Sequence, residues 1–143
     1  MKITQISVFL ENKKGRLYDA ISLLGEKGVD IKTLTIAENE NFGVLRMIVD
    51  QPEQSLEILK ANRFVASMTE IVAVEVEDHP GGLARVLKVL DENKINIEYM
   101  YAFVEKCADK AILIFRFDDL DKAITVLTGN GIRVVGKKDI VNL

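Results

Sequence analysis

The sequence carries a single cysteine, Cys107, and a single histidine, His79. One thiol cannot close an internal disulfide, and one imidazole cannot build a histidine-rich metal site, so disulfide-scaffold and zinc-finger architectures are excluded. A reduced, cytoplasmic setting is the default that follows. No apolar run approaches the ~20 residues that a membrane span requires. Met1 and Lys2 lead straight into alternating residues, without the apolar core of a signal peptide. Positive charge is not in excess either: 19 basic residues face 22 acidic ones, for a net charge of −3. A nucleic-acid partner, which needs a concentrated basic surface, is therefore not expected.

What the chain does have is a globular composition, 48% hydrophobic and 29% charged, in 143 residues. That is room for one ordinary domain or two very small ones. It also has an internal repeat. Ile6–Leu17 aligns with Val72–Leu83 at an offset of 66 (Leu17 to Leu83), and Val, Glu, Gly and Leu recur in place. Leu24 then falls on Leu90, and Val29-Asp30-Ile31 on Ile95-Asn96-Ile97. Further on the offset is 68 (Asn62 to Asn130), which places a two-residue insertion near Glu105–Asp109, in a hairpin loop.

Both halves read alike. Ile6, Val8 and Leu10, and likewise Val72, Val74 and Val76, alternate with the period of a half-buried strand. After a glycine turn, Leu17, Ala20, Ile21 and Leu24 recur at helical spacing, matched by Leu83, Val86, Leu87 and Leu90. Gly28 ends the first helix; its counterpart in the second half, Lys94, is a weaker exit, and Asn93 can take a left-handed cap there. Two strands follow in each half, Ile31–Ala37 with Val44–Val49 and Ile97–Val104 with Ala111–Phe117. Next comes a shorter helix, Glu53–Ala61 and Asp121–Thr128, and then a last strand near Ile71–Val74 and Asp139–Asn142. The order βαββαβ, twice, predicts an α+β protein of two ferredoxin-like units, antiparallel sheets with helices on one face. No Pro/Gly/Ser linker separates units 1–70 and 71–143, so the boundary is expected inside a continuous strand-like segment. Units of ~70 residues are marginal alone, and pairing the two helps.

The chemistry concentrates in Asp78-His79-Pro80-Gly81-Gly82-Leu83, between strand and helix. Pro80 fixes φ, and the glycines let backbone N–H groups approach a ligand. The helix that follows begins with unpaired N–H groups and the positive end of its dipole, which suits a carboxylate. Asp78 can receive a cationic amine or can cap the helix. Asn96, at the start of the next strand, offers a donor and an acceptor, or serves only its own backbone. His79 reads as an exposed loop residue and Cys107 as a loop thiol. Tyr99, Tyr101 and Phe103 share the strand face opposite Met100, Ala102 and Val104. An RNA-stacking platform there lacks its Lys/Arg-Gly-aromatic signature, so burial against a partner is the expectation.

The run Asp-His-Pro-Gly-Gly-Leu-Ala-Arg-Val-Leu-Lys-Val-Leu-x4-Ile-Asn-Ile resembles the ACT domain, a small regulatory module of amino-acid metabolism. The resemblance extends over the chain as two tandem copies, looser in the first, where Lys14 stands at the proline position. It implies amino-acid binding between paired units, with ligand contacts at Asp78, His79, Pro80, Gly81, Gly82, Leu83, Asn96 and Ile97. In the first copy the corresponding contacts are Asn12, Gly15, Leu17 and Asp30. It implies no catalytic role, no cofactor and no metal. The expected partners are a free amino acid, a second copy in a homodimer and a separate metabolic enzyme, with no nucleic acid and no membrane. A docking subunit with a degenerate ligand site is the alternative. A small enzyme is disfavoured, because no nucleophile–base arrangement or phosphate-binding lysine loop is present.

Overall fold

A computed structural model of the chain describes residues 1–11, 13–38, 41–103 and 109–142. They fall into two compact units. The N-terminal unit is Thr4–Thr69; the C-terminal unit is Glu70–Leu143 together with Met1–Ile3.

In the N-terminal unit, β1 (Ile3–Glu11), α1 (Arg16–Glu26), β2 (Ile31–Glu38), β3 (Phe42–Val49) and α2 (Pro52–Ala61) lead into the opening residues of β4 (Val65–Glu77). The strand order is β2-β3-β1-β4, and β3 is antiparallel to both β1 and β2. Alternation decides the core. Ile6, Val8 and Leu10 of β1 and Leu45, Met47 and Val49 of β3 pack with Ala20 and Leu24 of α1 and Leu59 of α2. The helical spacing read from Leu17 onward thus buries Ala20 and Leu24, while Leu17 stays exposed at the helix start.

The C-terminal unit repeats the pattern. The later part of β4 takes the place of β1, followed by α3 (Gly82–Glu92), β5 (Ile97–Ala102), β6 (Lys110–Phe117), α4 (Leu120–Gly129), β7 (Val134–Val135) and α5 (Lys137–Val141). The order is β5-β6-β4-β7, with antiparallel pairing throughout. The repeat arithmetic carries down to register. Glu75 pairs with Ile112 as Phe9 pairs with Val44, and Glu77 with Lys110 as Glu11 with Phe42. Val72, Val74 and Val76 join Val86, Leu90, Ala123 and Leu127 in the core.

Two expectations are corrected. The closing strand of the second repeat is not Asp139–Asn142: it is Val134–Val135, paired with Ala73 and Val74, and Lys137–Val141 forms α5. The β-branched pair sits just after the turn at Gly131, as Val65 follows the turn at Arg63, and the strand begins one residue beyond the place that the 68-residue offset gives, Arg133. The left-handed exit of α3 lies at Lys94 (φ 55°), not Asn93 (φ −100°). Asn93 instead spends its side chain on the helix end, donating to the Val89 carbonyl at 2.8 Å, as Asn62 does to Ile58 and Asn130 to Val126. Of the aromatic residues expected on one strand face, Phe103, just past β5, is buried, and Tyr99 and Tyr101 are half-buried. Met100 does pack toward the helices, as its alternation predicts. Val104, Cys107 and most of the Glu105–Asp109 loop lie outside the described residues. Among the described residues, no helix is long and apolar enough to cross a membrane.

Candidate functional site

The turn from β4 into α3 is built by its glycines. Gly81 is the helix cap at φ 89°, a left-handed conformation that suits glycine, and it brings no side chain of its own to the first turn. The N-cap position is thus Gly81, and the backbone N–H of Asp78 donates to the Asp109 carbonyl at 2.7 Å. Gly82 has an ordinary φ and a different constraint. A methyl group there would run into the Glu77 carbonyl oxygen and stand 3.0 Å from its carbonyl carbon, so the helix start is seated against the strand end. Gly15 repeats Gly81 as the cap of α1, at φ 87°.

Around this turn the chain gathers charge that sequence reasoning did not place. Glu75, only 15% exposed at its side chain, accepts from Lys110 at 2.9 Å and from Arg133 at 2.8 Å. Arg133 also reaches Asp139 at 3.4 Å. The hydrogen bond from Lys110, with help from Arg133, holds the Glu75 carboxyl below its ordinary pKa despite burial. The same bond raises Lys110. His79 is exposed, as expected of a loop residue, but it is engaged: Nε2 meets Glu77 and Nδ1 meets the Pro80 carbonyl. Its pKa is raised by the Pro80 carbonyl and then by Glu77, and that of Glu77 is lowered, first by His79.

These groups border a cavity of about 100 Å³ within the C-terminal unit. Gly82, Arg85 and Val86 of α3 form one wall; Glu75, Val76 and Glu77 of β4 form another. Lys110 and the Gly131–Arg133 turn complete it. Five charged side chains face one small space, so the arrangement can hold an ion or a zwitterion head group. A cavity of similar volume opens at the corresponding turn of the N-terminal unit, beside Leu10, Glu11, Arg16 and Phe42.

Asn96 and Ile97 are not brought to the Asp78–Leu83 turn within the unit. They sit at the other end of α3, about 16 Å away for an eleven-residue helix at 1.5 Å per residue. There they border an open depression of about 300 Å³ with Leu87, Leu90, Asp91 and Ile95. The backbone of Asn96 is tied to Asp118 in both directions: its N–H donates to the Asp118 carboxylate at 3.1 Å, and its carbonyl accepts from the Asp118 N–H at 3.1 Å. Asp30 and Asp50 reproduce that pair in the N-terminal unit, at 2.9 and 3.1 Å. The Asp30 carboxylate is also paired with Lys32 at 2.8 Å. Gly15 and Leu17 stand at the start of α1, and Asn12 lies outside the described residues. Among the described residues, no group of three or more His, Cys, Asp or Glu side chains could hold a metal ion.

The doubled βαββαβ order and the paired glycine-capped turns have a counterpart among known families. Residues 1–143 match the family described as the ACT domain pair. The chain belongs to that family. The ACT pair shares 36% identity with protein BT0572 from Bacteroides thetaiotaomicron, covering 100% of this chain and 98% of that one at a TM-score of 0.93. The regulatory subunit of aspartate kinase from Thermus thermophilus has the same fold, with a TM-score of 0.63 at 16% identity over 88% of this chain and 91% of that one. So does a chain of a structure of aspartokinase alpha and beta subunits, with a TM-score of 0.57 at 17% identity over 90% and 95%. No curated protein matches significantly.

Proposed function

We propose that this ACT pair is a non-catalytic regulatory protein of amino-acid metabolism that acts in the cytoplasm and senses a free amino acid. The observation that carries the reading is the C-terminal turn: the glycine-capped first turn of α3 stands beside a cavity bordered by both carboxylates and cations. The amides suit the ligand's carboxylate and the acidic groups its ammonium. The contacts proposed are the Asp78–Leu83 turn with Asn96 and Ile97. In the first copy they are Asn12, Gly15, Leu17 and Asp30. Asp78 and Asn96 stand at opposite ends of α3, so one unit does not bring both to a single site.

A homodimer belongs to the same reading. The N-terminal unit leaves Phe9, Phe42 and Val65 51%, 52% and 67% exposed. Their repeat counterparts are Glu75, Lys110 and Arg133, which satisfy one another as ions. Apolar side chains in place of an ion-paired set favour burial against another surface.

Calorimetric titration with each of the twenty amino acids tests the sensing reading. Asp78→Ala should weaken binding by a charge-assisted contact of about 1.5–3 kcal/mol, roughly 10- to 150-fold. Asn96→Ala should weaken it too, and Asn12→Ala and Asp30→Ala less. If none of the twenty binds, the second reading takes over: a docking subunit for a separate enzyme, favoured by the fold shared with kinase regulatory subunits. Affinity capture would then look for that enzyme.

A further inference from the structure

The same ion pair spans both glycine-capped turns, with a different cation in each. Under the 66-residue offset Glu77 falls on Glu11, His79 on Lys13 and Gly81 on Gly15. In the N-terminal unit Lys13 Nζ meets Glu11 Oε2 at 2.9 Å; in the C-terminal unit His79 Nε2 meets Glu77 Oε2 at 2.6 Å. The backbone repeats the match. The Gly82 N–H closes its turn on the His79 carbonyl at 3.0 Å, and the Arg16 N–H closes the other on the Lys13 carbonyl at 3.4 Å. Each cation thus ties the end of a strand to the turn that starts a helix.

The two cations answer differently to a change of pH. A lysine ammonium ordinarily stays charged through the neutral range, whereas an imidazole titrates within it. His79 also holds a second oxygen, the Pro80 carbonyl, which faces Nδ1 at 2.9 Å. Two acceptors on one ring need two N–H donors, and only the imidazolium has both. Once one proton is gone, whichever nitrogen keeps its hydrogen, the other turns a lone pair toward an oxygen and that contact is lost. Glu77 and Asp78 attract the ring's proton, while Arg85 of α3 and Lys110 of β6 help to keep Glu77 ionised.

We infer that the turn from β4 into α3 is a proton-operated clasp, closed while both nitrogens of His79 carry hydrogen and loosened when one gives it up, and that the turn from β1 into α1, held by Lys13, is its permanently charged counterpart. The clasp acts on the turn itself, whether or not an amino acid binds beside it.

The test is amide hydrogen exchange of the intact protein by nuclear magnetic resonance, corrected for the intrinsic pH dependence of exchange, with the imidazole titration recorded on the same samples. In the wild type, the protection of the Gly82 amide should fall about 2- to 5-fold as pH rises through the imidazole midpoint, the scale of one exposed ion pair. The protection of the Arg16 amide should stay level over the same range. His79→Lys, which gives the second turn the cation of the first, should keep Gly82 protected throughout. Gly82 protection that ignores the imidazole titration in the wild type, or that falls equally in His79→Lys, would overturn the clasp. Should His79→Lys fold poorly, the comparison of Gly82 with Arg16 within the wild-type chain decides by itself.

Discussion

His79 Nε2 lies 2.6 Å from Glu77 Oε2, while Nδ1 of the same ring faces the Pro80 carbonyl at 2.9 Å. Both ring nitrogens meet acceptors, and only the imidazolium donates from both. The pKa of His79 is accordingly raised above its ordinary 6.5, first by the Pro80 carbonyl. Glu77 is held below its ordinary 4.5, first by His79. The stabilisation due to His79 is fully present below 6.5 and is lost as pH rises through the folded value. That due to Glu77 is present above 4.5 and is lost as pH falls through its folded value. The pair therefore holds the turn between the two folded values and releases it on either side. As the chain has one histidine, its imidazole proton resonances are unambiguous. They should titrate with a midpoint above 6.5 in the wild type and lower in Glu77→Gln; a wild-type midpoint at or below 6.5 contradicts this geometry.

Gly81 and Gly82 should differ in what alanine costs. At Gly81 the space is open and only the backbone conformation is strained, a cost of about 1–2 kcal/mol. At Gly82 the added methyl meets the backbone of Glu77, which has no flexible end to yield, so α3 must shift from β4. Overpacking of this kind costs about 1–3 kcal/mol, and the rigid neighbour places Gly82→Ala at or above the top of that range. Urea denaturation of the two variants should rank Gly82→Ala as the worse; equal midpoints would show that the helix start is not seated as described.

Lys94 and Arg63 hold left-handed conformations, φ 55° and 67°, where Gly28 and Gly131 hold φ 76° and 73°. Side chains pay about 1–2 kcal/mol for that region, and glycine returns about 0.4–1 kcal/mol through the unfolded chain. Lys94→Gly and Arg63→Gly should each raise stability by roughly 0.5–1 kcal/mol, and Gly28→Ala and Gly131→Ala should lower it. Thermal melting of the four variants checks the sign, and destabilisation by Lys94→Gly would count against it.

If the exposed apolar residues of the N-terminal unit are buried by a second copy, Phe9→Ser with Phe42→Ser should shift sedimentation toward the monomer. Tyr99→Ser should do so less, because that ring is already half-buried within its own chain. A wild-type protein that sediments as a monomer at all concentrations would remove the homodimer from the proposed function.

The parts of this fold that were legible in the sequence are those set by local chemistry. Valine alternation from Val72 to Val76, the Leu83–Leu90 stripe and the glycine turns each depend on a few neighbouring residues, so pattern alone revealed strand and helix. The parts that were not legible depend on distant pairing. Nothing near Glu75 announces that Arg133 and Lys110 will meet its carboxylate, because that contact exists only once β7 and β6 flank β4. Val134–Val135 is too short to show a period, and Lys94 has no intrinsic preference for the conformation it adopts. Arg85 was visible as a residue of the motif but not as a cavity wall. The one cue was that its repeat counterpart, Asp19, carries the opposite charge.

Met1–Ile3 belong to the C-terminal unit although the whole N-terminal unit follows them in the chain. Ile3 is buried, and Lys2 is bound to Asp121 at 3.0 Å. In order of synthesis, one unit is therefore nested inside the other. Thr4–Thr69 is made whole before Asp121, so Lys2 meets its carboxylate partner only after the other unit has been translated. Loss of Met1–Ile3 would accordingly register in the unit that is translated last.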